Sequence, residues 1–262
     1  MRPARPRIFA VVVSGVTAGV GLAARDCPAA EWVDRPLTAP AGSWHFDFGL
    51  GVGHVAAADD WALGLNAEGG VGITDRIELG LRTGLRMAPP DERGIRPDEY
   101  GRLFDRQTFD TGASVLANPE LRIRGALLRE QVVELGLEGR LVVPFEAGTG
   151  VGMMFGVPLA FHIGKIVRLD TGAFLPIVFY AHDTTTAARF PVDVWFQVAH
   201  RLWLGPMTGL AFEGGGTAVS LGFGLGYEIA RTLDLRTMFL FPDWNQAAGD
   251  FGLGVGLQVR LE

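Results

Sequence analysis

From Phe251 to Leu261 the chain alternates without a break: Phe251, Leu253, Val255, Leu257, Val259 and Leu261 are apolar, while Gly252, Gly254, Gly256, Gln258 and Arg260 are glycine or polar. A period of two puts the two sets on opposite faces of a β-strand. The same rule sorts Val219, Leu221, Phe223, Leu225, Tyr227 and Ile229 from Ser220, Gly222, Gly224, Gly226 and Glu228. It also sorts Ile77, Leu79 and Leu81 from Glu78, Gly80 and Arg82. Twelve such runs follow one another, over 43–55, 61–73, 77–87, 117–127, 132–144, 151–163, 167–179, 192–200, 202–212, 218–229, 232–241 and 251–261. A run of about 11 residues, at ~3.3 Å per residue and a tilt of ~40°, rises about 28 Å, close to the ~25 Å apolar band of a membrane-spanning barrel.

The connections alternate too. Short turns are predicted at 74–76, 128–131, 164–166, 200–201 and 230–232. Longer links are predicted at 88–116, 180–191 and 242–250, with glycine-rich ones at 145–150 and 213–217. Short turns on one side and long loops on the other describe an up-and-down barrel, and an even strand number leaves both termini on the short-turn side. A soluble sandwich or ligand barrel also alternates, but its polar face meets water. Here 37 of 262 residues are glycine, many of them on the non-apolar face, and that face is poorly suited to a solvated surface. The apolar face carries Trp44, Trp61, Phe179, Phe212, Phe241 and Phe251 near the strand ends, where an interfacial aromatic girdle would lie. Twelve long strands also exceed the ~8 of a soluble ligand barrel. The predicted fold is therefore all-β, a single up-and-down antiparallel transmembrane β-barrel of about twelve strands over 43–262.

Arg2, Arg5 and Arg7 precede an apolar stretch from 8 to 24, the charged and apolar regions of a secretory leader. Cleavage is expected between Ala23 and Ala30, giving a leader over 1–30 and a periplasmic N-terminal segment over 31–42. Removing the leader takes the formal charge from −6 to −9, so nucleic acid is not an expected partner. The single cysteine, Cys27, excludes a disulfide framework.

Two turn-centred stretches, Gly72-Ile73-Thr74-Asp75-Arg76-Ile77-Glu78-Leu79-Gly80 and Tyr227-Glu228-Ile229-Ala230-Arg231-Thr232-Leu233-Asp234-Leu235, resemble periplasmic hairpins of bacterial outer-membrane β-barrel proteins, porins and transporters among them. The resemblance covers about 43–262. Members usually close on an aromatic residue, where this chain has Leu261-Glu262. It implies the outer membrane of a Gram-negative cell, with the barrel-assembly machinery, membrane lipids and lipopolysaccharide as partners.

If the apolar face meets lipid, the other face lines the lumen. The charged residues expected there are Glu68, Arg82, Arg86, Glu120, Arg122, Arg124, Glu138, Arg140, Arg168, Asp170 and Arg236, with Asp47, Glu78, Glu134, Asp193, Glu228, Asp234 and Arg260 on the same parity. Hairpins centred on the short turns would set Glu68 opposite Arg82, Arg122 opposite Glu138, and Glu120 opposite Arg140. Opposite charges facing across strands add ~0.2–1 kcal/mol each. Phe174, Trp195 and Trp203 are the inward aromatics. The inward glycines Gly49, Gly51, Gly53, Gly222, Gly224, Gly226, Gly252, Gly254 and Gly256 have three readings: an open vestibule, a berth for an infolded loop, or sheet curvature. The loop 88–116 is the candidate plug.

The expected function is a porin-like channel for passive or facilitated diffusion of small polar solutes. The alternative is a plugged structural or interaction barrel. An outer-membrane lipid-modifying enzyme is the third class, with His182-Asp183 as its only foothold. None of His45, His54, His162, His182 and His200 sits in a serine-containing motif of that kind. No catalytic residue, metal or cofactor is expected.

Overall fold

A computed structural model of the protein describes residues 31–55, 60–87, 116–144, 151–179, 184–213, 215–246 and 251–261. Twelve strands run in order: β1 (Trp44–Val55), β2 (Asp60–Thr74), β3 (Ile77–Met87), β4 (Leu116–Arg129), β5 (Val133–Val142), β6 (Val151–Ile163), β7 (Val167–Phe179), β8 (Thr184–Ala199), β9 (Leu202–Glu213), β10 (Gly216–Ala230), β11 (Leu233–Phe241) and β12 (Phe251–Leu261). Each pairs antiparallel with its sequence neighbours, and β1 closes on β12 from Trp44↔Leu261 to His54↔Phe251. The architecture is the expected closed up-and-down barrel. Closure leaves no sheet edge unpaired.

The two faces are inverted relative to a soluble protein. Outward residues such as Phe48 (54% exposed) and Leu121 (49%) leave large apolar side chains uncovered, while inward Glu120 (2%) and Asp234 (0%) are buried. A continuous apolar exterior is stable only against hydrocarbon, because exposing it to water forfeits about 25 cal/mol per Å². Trp44 lies at the short-turn end and Phe179 and Phe212 at the opposite end, all outward and exposed. Trp61, another expected girdle residue, is the second residue of β2.

Two connections differ from expectation. The link 180–191 is largely strand, because β8 begins at Thr184. Its opening, Thr184-Thr185-Thr186-Ala187-Ala188, has small and polar residues on both faces and so hides the period. Pro191, lacking an N–H, interrupts the strand again to the eye, yet it sits in register opposite Gly209. The glycine-rich link 213–217 is a tight hairpin: β9 and β10 pair as far as Glu213↔Gly216, with Gly215 at φ +81°, a conformation that favours glycine. The leader 1–30, most of the loop 88–116, and His182-Asp183 lie outside the described residues.

Candidate functional site

The inward residues of β2 to β5 form one ionic network. Glu68 faces Arg82 in the β2–β3 hairpin, as expected. The β4–β5 hairpin is displaced by two residues from the predicted register: Arg124, not Arg122, faces Glu138, and Arg122, not Glu120, faces Arg140. β4 runs on to Arg129 and β5 begins at Val133, so the turn falls at 130–132 and the symmetric register about 128–131 does not form; a bulge between Ala126 and Leu128 takes back one residue of the offset. The charges still find partners. Arg124 donates from Nε and Nη2 to Glu138 Oε2 at 2.7 and 2.5 Å. Arg140 donates to Glu138 Oε1 at 2.6 Å and, diagonally, to Glu120 Oε1 at 2.7 Å. Arg122 turns the other way, 2.6 Å from Glu78 and 3.0 Å from Glu68. Gly80 allows this, since its absent Cβ leaves room beside the Arg122 guanidinium. On β7, Arg168 Nε donates to Asp170 at 2.8 Å. Arg86 lies on β3 opposite Gly64.

The aromatic wall is built differently. Phe174, Trp195 and Trp203 are buried, and each covers an inward glycine one or two strands away: Gly156 on β6 under Phe174, Gly224 on β10 under Trp195, Gly226 on β10 under Trp203. A Cβ on Gly226 would lie 2.1 Å from the Trp203 ring. Gly224 and Gly226 are therefore seats for rings, a use that none of the three sequence readings contained. Gly226→Val is expected to lose about 1–3 kcal/mol through overpacking, read as a lower urea midpoint of the folded barrel. Phe174 also joins Val142, Met154 and Val178 in an apolar cluster inside the lumen. Most of the described inward side chains from β3 round to β9 are buried.

The short-turn mouth is crossed by residues 31–43, the expected periplasmic segment. It enters beside the β8–β9 turn, where His200 Nδ1 lies 3.1 Å from Glu31 Oε1, and leaves beside the β2–β3 turn, where Gly42 N–H donates to Gly72 O at 2.8 Å. These turns lie on opposite sides of the barrel. Trp32 stacks on Trp203 at 5.1 Å and meets Trp195 edge-on at 6.0 Å. Three guanidinia surround its ring, Arg236 at 4.7 Å, Arg35 at 5.1 Å and Arg168 at 5.7 Å. The backbone of the segment bonds to lumen charges throughout: Leu37 N–H to Glu134 (3.1 Å), Ala39 N–H to Glu78 (2.7 Å), Leu37 O from Arg124 (3.2 Å) and Arg35 O from Arg168. His162 uses one ring nitrogen on Val33 O and the other on Glu134. Sequence reading gave no role to Trp32, Val33, Arg35 or Leu37. Their signal was an aromatic and aliphatic stretch, Trp32-Val33-Asp34-Arg35-Pro36-Leu37, unlike a solvated linker.

The remaining side of the lumen is bare. At the β1–β12 seam, Gly49, Gly51 and Gly53 face Gly256, Gly254 and Gly252 directly. No side chain projects inward from three consecutive inward positions on each of the two strands. Between this seam and the segment lies a cavity of about 250 Å³, whose lining includes Asp47, Asn66, Glu68, Arg236, Met238, Gly254 and Gly256.

No family model matches the chain, and no curated protein matches it. Solved structures do share its fold. The NanC porin superposes with a TM-score of 0.60 at 9% identity, covering 82% of this chain and 100% of that one. An outer membrane channel from Pseudomonas putida F1 gives 0.55 at 11%, covering 86% and 97%. The KdgM porin gives 0.54 at 8%, covering 83% and 99%. The fold is that of outer-membrane porins.

Proposed function

We propose that the protein is an outer-membrane channel for passive or facilitated diffusion of small polar solutes, with an off-centre path along the β1–β12 seam. One observation carries this reading: the Gly–Gly seam forms a side-chain-free strip of wall that leads to a polar cavity of about 250 Å³. The inward charges of β4 and β5 are buried in ion pairs, which a path along that wall would have to displace. The fold shared with porins supports the same reading, although a fold alone does not assign an activity.

The competing structural barrel draws support from residues 31–43, which span the mouth. Planar-bilayer recording of the purified, refolded protein separates the two. Discrete current steps are expected, and Gly254→Trp, which places an indole on the bare wall, is expected to cut their amplitude at least twofold. An absence of steps in both the native barrel and Trp32→Ala, whose segment is loosened, would retire the channel and leave the structural barrel.

A further inference from the structure

We infer that the cavity beside the seam is a binding site for small oxyanions, with a carboxylate or phosphate group held by Arg35, Arg236 and Arg260. The channel's solutes are then anions, a step that rests on the channel reading, whereas the binding itself does not.

The three arginines come from distant parts of the chain, the mouth segment, β11 and β12, and all line this one cavity. Each keeps a donor without an acceptor although it is buried or nearly so: Nε of Arg35, Nε of Arg236 and Nε of Arg260. Buried donors without acceptors are rare in folded proteins, and where several converge they indicate a ligand or ion that supplies the acceptors.

The carboxylates nearby are already shared. Asp234 takes both terminal nitrogens of Arg35 and also Arg260 Nη2 at 3.2 Å. Glu228 lies 3.9 Å from Arg35 and 4.0 Å from Arg260. Asp47 lies 3.4 Å from Arg236 Nη2, and its other oxygen accepts from Gln258 Nε2 at 3.0 Å. Around the cavity as a whole, six arginines stand against three carboxylates, Asp47, Glu68 and Glu78.

Orientation favours an oxyanion over water alone. The guanidinium carbons of Arg35 and Arg236 lie over the Trp32 ring, 5.1 and 4.7 Å from its centroid, and a guanidinium carries its N–H donors in its plane, along its edges. Those edges match the two-oxygen fork of a carboxylate or phosphate. Burial, with a further push from Arg260 and Arg236 and only partial relief from Asp234, pulls the Arg35 guanidinium down to about 10. An added anion between like charges relieves that repulsion.

The test is calorimetric titration of the refolded full-length barrel in detergent with inorganic phosphate and with acetate, alongside reversal potentials in a salt gradient. Saturable binding of at least one anion is expected. Arg236→Gln and Arg260→Gln should each weaken it about tenfold or more. Heat-shifted gel mobility confirms that both variants are folded, and Arg236→Lys, which keeps the charge but loses the fork, should recover only part of the affinity. Phosphate binding without acetate, or the reverse, identifies the group recognised. No saturable heat with either anion, or equal affinities in native protein and both glutamine variants, overturns the site. Binding without current steps would sink the channel and leave the site. Cation-preferring steps without binding would sink the site and leave the channel.

Discussion

Glu138→Ala is expected to lower the stability of the barrel by about 3–5 kcal/mol, the usual cost of removing one partner from a buried ion pair. Glu138 is the shared acceptor for Arg124 and Arg140, through both of its oxygens, and its side chain is fully buried. Its loss takes a carboxylate acceptor from both Arg124 and Arg140, with the Leu37 carbonyl and Glu120 among the acceptors that remain to them. The penalty comes from the stranded guanidinium more than from the lost attraction. The double variant Glu138→Leu/Arg124→Met should therefore recover much of the loss, since replacing both ions by apolar side chains is often neutral or stabilising. Urea unfolding in detergent, followed by tryptophan fluorescence, reads both. A single variant costing under 1 kcal/mol would mean that water reaches this network.

Trp32→Ala is expected to raise the mean bilayer current at least tenfold while leaving the barrel folded. Truncating a buried tryptophan costs about 3–5 kcal/mol, and Trp32 also forfeits its stack on Trp203 and three guanidinium contacts. Nearly all of that cost falls on the seating of residues 31–43, because the strands keep their ladders. A loss of about 3 kcal/mol shifts the docked-to-displaced ratio more than a hundredfold, so even a mostly docked segment would spend far longer displaced. Unchanged current in a folded Trp32→Ala barrel would show that the segment does not limit conduction.

The barrel was legible because its rule is local. Alternation in Phe251–Leu261 needs no knowledge of partners, and eleven further runs obey it closely enough to set strand number and sidedness. β8 was misread at its start because threonine and alanine serve either face. The β4–β5 register escaped because the turn falls at 130–132, later than the composition of 128–131 marks it, and a small shift of a turn re-pairs every residue of the hairpin. Which residues share an ion pair is a fact of register and side-chain reach, so Arg122 could be placed inward but not assigned to Glu68 and Glu78. The glycines were visible as a pattern, but their two uses were not. Gly226 is a seat only because Trp203 lies across from it, and Gly254 is bare only because Gly51 faces it. The mouth segment was missed for a related reason: it has no period, and its meaning lies wholly in the wall it touches.

The seam has one more consequence. In its outer half, β1 and β12 are joined on the inner face by main-chain bonds alone, while on the outer face Leu50 opposes Val255 and Val52 opposes Leu253. In its inner half the link Gln258 to Asp47 adds a side-chain clasp. The sheet's closing joint thus resembles a zip clasped at the short-turn end and held above it by outward teeth, the last of them the stacked rings of His54 and Phe251. When this barrel begins to come apart, the separation starts at the outer ends of its first and last strands and travels inward, with amide protons there exchanging ahead of all other strand positions.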